Sequence, residues 1–200
     1  MDTLEAIRTR RAVKHFDPNH EFTADEEKEI KELLRAAPTS FNMQNWRFLI
    51  VKDKELRKQL REAAWGQAQV EEASLLFVLC ADLHAWQDKP ERYWEDAPKE
   101  VADYLVGAME PFYGHKKWQQ RDEAMRSVGI AAQTLMITAK GMGYDSCPMI
   151  GFDELEVAKL INLPENYVIG MFVTVGKAAK PAQNKGGYIP DGEVFFEDRF

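Results

Sequence analysis

Residues 74–81 read SLLFVLCA, eight residues without a charge. The run is too short for an ordinary helix and too uniform for a half-exposed strand, so it predicts a strand that must be buried. Working outward, YVIGMFVTV at 167–175 is a second apolar strand and WRFLIV at 46–51 a third. Helical patterns surround them. Thr23 followed by Glu26 forms a capping box, and Ile30, Leu33, Leu34 and Ala37 recur at helical spacing until Pro38 stops them. Leu4 and Ile7 predict a short helix over 2–10. Residues 54–64 alternate charged and apolar positions as a solvent-facing helix, and 101–113 is helical. The mostly apolar stretch 121–142, with Ile130, Leu135, Met136 and Ile137, predicts a core helix ending near Gly143, and a capped helix over 153–161 halts before Pro164. Helices and strands in this irregular order give an α+β fold rather than a regular parallel winding.

At 200 residues and 45% hydrophobic content the chain can bury one sizeable core. No repeat, low-complexity stretch or Gly/Ser linker divides it, so one domain over 1–200 is expected. Lys and Arg number 26 against 33 Asp and Glu, a formal charge of −7 that disfavours nucleic acid as a partner. No apolar run approaches the ~20 residues of a membrane span, and Met1 to Arg11 is charged rather than signal-like. A cytoplasmic protein with no membrane partner is expected. Cys80 and Cys147 are too few for a disulfide framework, and His15, His20, His84 and His115 lack metal-ligand spacing, so no metal is expected. Neither G-x-G-x-x-G nor G-x-x-x-x-G-K-[ST] occurs. Residues 84–120 hold Trp86, Tyr93, Trp94, Tyr104, Phe112, Tyr113 and Trp118 among many charges. This excursion reads equally as a helical layer with an aromatic core and as a lid over a ligand or partner.

Three local signals carry chemistry. Arg8, Arg10, Arg11 and Lys14 place four cations in seven residues of an acidic protein, a set that a phosphate monoester would satisfy. A solvated charge run favoured by the dipole at a helix C-terminus is the plainer reading. The loop Pro38-Thr39-Ser40-Phe41-Asn42-Met43-Gln44-Asn45 is dense in uncharged polar groups suited to a polyol or a heterocycle edge, although such residues also close turns on their own backbone. Finally, Gly151 in Cys147-Pro148-Met149-Ile150-Gly151-Phe152 permits close backbone approach, so the amides of Ile150 and Gly151 could face a ligand; an ordinary connection between helices is the alternative.

The order and spacing of five blocks resemble the FMN-dependent nitroreductase family over nearly the whole chain. They are RTRRAVKHF (8–16), APTSFNMQNWRF (37–48), GQAQVEEASLLFVLCAD (66–82), GYDSCPMIGF (143–152) and VTVGKAAKP (173–181). The resemblance implies an α+β fold with a central, mostly antiparallel sheet flanked by helices. It also implies a homodimer with one FMN per subunit at the interface and a C-terminal tail, 177–200, that clasps the partner. On matching positions, Arg10, Arg11 and Lys14 would hold the phosphate, ribityl chain or pyrimidine edge of FMN, and Pro38, Thr39, Ser40 and Asn42 would approach from the partner subunit. Gln67 and Gln69 would meet the polar edge of the ring. Pro148, Met149, Ile150 and Gly151 would pack along it with N–H groups near N5, and Lys185 would be a further phosphate cation. Ala12 stands where the family commonly has Ser, and Lys185-Gly186-Gly187-Tyr188 where it commonly has a basic segment ending in Arg.

The implied activity is electron transfer from NADH or NADPH, in ping-pong order, to a nitroaromatic, quinone or related small acceptor. The chemistry would occur at the flavin N5, with no catalytic side chain and protons drawn from solvent. Two alternatives stay open: a relative with a dedicated substrate, acting by reductive dehalogenation or flavin cleavage, and a non-catalytic FMN-binding or storage protein.

Overall fold

The computed structural model describes all 200 residues. The elements run α1 (Thr3–Thr9), α2 (Ala24–Leu34), β1 (Trp46–Val51), α3 (Lys54–Ala63), α4 (Gln69–Glu72), β2 (Leu75–Asp82), α5 (Lys99–Tyr113), α6 (Lys117–Gly141), β3 (Asp145–Met149), α7 (Glu154–Leu160) and β4 (Tyr167–Gly176). The sheet order is β1-β2-β4-β3, and each neighbouring pair is antiparallel, with Trp46 opposite Ala81, Leu75 opposite Val175 and Met149 opposite Phe172.

The unbroken apolar run of β2 is explained by its central place, because successive side chains point into different cores. Leu75, Phe77, Leu79 and Ala81 join Ile30, Leu34, Leu135, Val173 and Val175 on the side covered by α2 and α6. Leu76, Val78 and Cys80 join Leu60, Val157, Met149 and Phe172 on the side covered by α3 and α7. Each large side chain so buried contributes roughly 1.5–3 kcal/mol, so a polar residue in β2 would be costly on either face.

The capping box of α2 forms in full: Glu26 N–H donates to Thr23 Oγ1 at 3.2 Å, and Thr23 N–H donates to the Glu26 carboxylate at 2.9 Å. The central helix α6 begins at Lys117, earlier than its pattern predicts, and ends as expected beside Gly143, whose φ of +91° is the left-handed conformation that glycine accepts. Its small buried residues Ala124, Ala131, Ala132 and Ala139 let it lie close on the sheet. At Gly170 of β4 the approach is so close that an added Cβ would meet Val128 Cγ1 at 2.4 Å.

Two expectations are corrected. The helix α3 is not simply solvent-facing: Leu60 and Ala63 are buried with Arg57, whose guanidinium donates to the Val51, Ala73 and Ser74 carbonyls. The stretch 147–152, for which a connection between helices is the alternative reading, begins within an edge strand over 145–149. Pro148 is tolerated there because an edge position can spare its missing N–H. The outer side of β3 is lined by the N-terminal segment, with Ala12 bridged to Ser146 and Val13 N–H donating to Ser146 O at 3.1 Å.

The aromatic excursion divides. Trp86, Tyr93, Met109 and Tyr113 form a third core with Met43, whereas Tyr104, Phe112 and Trp118 stay exposed. The tail beyond β4 holds Tyr188, Ile189, Phe195, Phe196 and Phe200 exposed. No helix is long and apolar enough to cross a membrane.

Candidate functional site

The basic segment folds against the outer edge of β3. The helix α1 ends at Arg10, and the docking of Ala12 and Val13 on Ser146 then fixes Arg10, Arg11 and Lys14 beside the strand. None of the three, nor Arg8, is in an ion pair with a carboxylate. Arg11 Nη1 donates to the Arg8 and Arg10 carbonyls at 2.8 Å each, which stiffens the exit from α1. Burial pushes the Cys147 thiol up, and Lys14, Gln69 and Arg10 pull against that rise. A buried thiol pushed up in this way is poorly suited to act as a nucleophile.

A relay of amides completes this edge. Gln69, only 3% exposed, donates Nε2–H to Gln67 Oε1 at 3.1 Å, and Gln67 Nε2–H donates to Gly151 O at 2.8 Å. A carbonyl can only accept, so both glutamine orientations follow from the Gly151 end of the chain. The N–H groups of Ile150 and Gly151 donate to no group of the protein, and Ile150 is 77% exposed. Pro148 is half-buried and Met149 buried just before this turn.

Lys185, in the tail, lies against Tyr188. Its Nζ lies 3.4 Å from the centre of the Tyr188 ring, and Lys185, with a smaller effect from Arg11, holds the Tyr188 phenol below its usual value.

The remaining predicted residues stand elsewhere. Pro38, Thr39, Ser40 and Asn42 precede β1, at the opposite edge of the sheet from β3. There Asn42 Nδ2–H donates to Tyr93 O at 2.8 Å, Thr39 Oγ1 accepts from Gln44 N–H at 2.9 Å, and Phe41 packs on Phe112 and Tyr113. Phe41, Asn42 and Gln44 all have left-handed backbones, which marks the loop as held by its surroundings. Within one chain, then, the structure brings Arg10, Arg11, Lys14, Gln67, Gln69 and 148–151 together and leaves 38–42 apart.

Sequence reasoning passes over Trp65. It is 71% exposed, has φ +55°, and an added Cβ at Gly151 would lie 3.3 Å from its ring. The usable signal is Trp65-Gly66 after a helical run, since Gly there marks a left-handed C-terminal turn.

What this edge offers is mainly cationic and donating: forked and point cations not paired with a carboxylate, two amides and two free N–H groups, with Glu72 held by Phe16 N–H beside His15. A phosphate monoester attached to a flat heterocycle with a polar rim fits such a donor set. Residues 7–177 match the sequence pattern described as the Nitroreductase family.

The chain belongs to the nitroreductase family. Within that family it is 54% identical to Protein DrgA of Synechocystis sp. PCC 6803, over 97% of this chain and 95% of that one. It is 29% identical to an oxygen-insensitive NADPH nitroreductase of Helicobacter pylori strain 26695, over 90% of each chain. Among solved structures, a protein of Exiguobacterium sibiricum designated a nitroreductase and solved in complex with FMN superposes with a TM-score of 0.90 at 28% identity. That match covers 99% of this nitroreductase-family chain and 98% of the other.

Proposed function

We propose that the donor-lined edge of β3 is an FMN site from which electrons of NADH or NADPH pass to a nitroaromatic, quinone or similar small acceptor. The chain is an NAD(P)H-dependent oxidoreductase of the nitroreductase kind with FMN as its cofactor. The observation that carries the siting is that the unpaired cations flank Ala12 and Val13, which dock on Ser146 of β3, while Ile150 and Gly151 just beyond the end of that strand have free N–H groups.

When bound, FMN supplies two-electron chemistry between a nicotinamide and an acceptor. Arg10 and Arg11 offer forked donors to its phosphate, with Lys185 a further cation, and Lys14 offers a point charge that offsets negative charge on the N1 and O2 rim. The N–H groups of Ile150 and Gly151 would be donors for N5, Gln69 would line the polar rim with Gln67 behind it, and Pro148 and Met149 would give the ring an apolar floor. Cys147 stays protonated and no other ionisable group there is suited to deliver a proton, so protons come from solvent. Donor and acceptor then use one opening in turn, which accords with the lack of a separate dinucleotide motif.

The active form in this reading is a cytoplasmic homodimer of one FMN-binding domain, 1–200. Pro38, Thr39, Ser40 and Asn42, standing across the sheet from Lys14, serve the flavin of the other chain. The tail, 177–200, clasps the partner, and the 84–120 excursion covers the opening. Two features support the clasp: exposed Phe195, Phe196 and Phe200, and a mostly apolar cavity of about 270 Å³ between the sheet and the segment after α7, lined by Phe48, Leu49, Cys80, Ile161, Leu163 and Tyr167.

Anaerobic stopped-flow mixing tests the reading. Bound flavin is expected to bleach with NADH or NADPH and to recover on addition of an acceptor. Flavin that stays oxidised with both nicotinamides would leave only flavin binding, and flavin consumed in air without an acceptor would mark a dedicated flavin-cleaving enzyme.

A further inference from the structure

The turn that offers free N–H groups at Ile150 and Gly151 is gripped by the turn that follows α3. Asp153 N–H donates to Ala63 O at 2.8 Å, Gln67 Nε2–H donates to Gly151 O at 2.8 Å, and Phe152 N–H closes on Ile150 O at 3.2 Å. A Cβ built on Gly151 would lie 3.2 Å from Gln67 Nε2 and 3.3 Å from Trp65 Cζ3, so both side chains stand where a larger residue would need space.

The gripping turn is itself fixed. Trp65 and Gly66 are both left-handed, and their N–H groups donate to Glu62 O at 2.9 Å and Arg61 O at 2.8 Å. Arg61 Nε–H returns to Gly66 O at 3.2 Å while its Nη1 pairs with Glu71 at 2.9 Å. A bulky residue pays in strain for such a conformation. Burial does not hold Trp65 there, because it is 71% exposed; its ring stands beside Gly151.

Resting on the FMN reading above, we infer that Gln67 and Trp65 are positioning residues, which hold the Ile150–Gly151 turn so that its free N–H groups meet the cofactor without rearrangement. Gln67 acts through the Gly151 carbonyl, its oxygen being engaged by Gln69. Such preorganisation removes an ordering cost from cofactor binding.

The test uses Gln67→Met, which keeps length but lacks the donor, and Trp65→Ala, which alters an exposed side chain and stays readable if the first variant does not fold. Amide hydrogen exchange is measured on the full-length, FMN-free protein, and FMN affinity by quenching of flavin fluorescence. Exchange at Phe152 and Asp153 is expected to quicken about tenfold in each variant, with FMN affinity falling about tenfold, as for one lost hydrogen bond. Unchanged exchange with weakened FMN binding would overturn the inference, since Gln67 would then touch the cofactor itself, and would leave the siting intact. Quickened exchange with unchanged FMN affinity would overturn the siting at this turn, and the inference with it.

Discussion

The Tyr144 phenol hydrogen-bonds the Glu26 carboxylate, tying the entry of β3 to the first turn of α2 across 118 residues of chain. With the Thr23 cap contacts adding to it, this bond holds the Glu26 carboxyl at about 2, against an ordinary value of 4.5. A carboxyl lowered on folding stabilises the fold above its unfolded value, and that stabilisation is lost as pH falls through the folded one. Tyr144→Phe is therefore expected to be less stable than the parent at pH 7, with the gap closing between pH 4.5 and about 2. Urea midpoints followed by circular dichroism across that range check it; a gap of constant size would assign the loss to ring packing with His20 and Phe22 instead.

Gly170→Ala is expected to destabilise the protein by about 1–3 kcal/mol, because the new methyl group overlaps Val128 where α6 meets β4. Adding Val128→Ala should recover part of the loss, so that the pair is less damaging than the sum of its members. Chemical denaturation of all four proteins measures the coupling.

Removing two unpaired cations should loosen FMN more than removing either. Each charged contact is worth about 1.5–3 kcal/mol when well formed, so Arg10→Ala with Lys14→Ala should weaken binding by at least about a hundredfold, and by less at high salt. Titration of FMN-free protein at two salt concentrations is the measurement. Undiminished affinity would detach the basic cluster from the cofactor.

Deleting 191–200 removes Val194, Phe195, Phe196 and Phe200, all exposed in the single chain. Both dimer stability and flavin occupancy are expected to fall together, since each favours the other by mass action. Sedimentation and visible spectra of the truncated protein follow the two quantities separately; an intact protein that sediments as a monomer and retains full FMN would show the site to be built within one chain.

The sequence is most informative where one physical pattern dominates. Thr23 and Glu26 announce α2 because both halves of the cap lie within four residues, and the β2 run has no other stable home than the middle of a sheet. By contrast, β3 is concealed by Pro148 and Ser146, residues that fit a strand only at an edge with a neighbour, and that neighbour, Ala12, lies more than a hundred residues away. Arg57 reads as surface charge because nothing local reveals that its guanidinium folds inward to the Val51, Ala73 and Ser74 carbonyls. The candidate site divides along the same line. Arg10, Arg11 and Lys14 are conspicuous as a cluster, whereas the hold of Gln67 on Gly151 spans 84 residues and has no local trace.

Pro148 also bears on how copies of this chain can add to one another. It interrupts the donor row on one side of the sheet, and the 12–13 segment lies over the same side, so only the β1 side can accept another strand. A molecule with one receptive side and one apolar tail has a valence of one in each role. In the proposed dimer, two copies exchanging tails would cover both features at once and close as a pair rather than extend into a fibre.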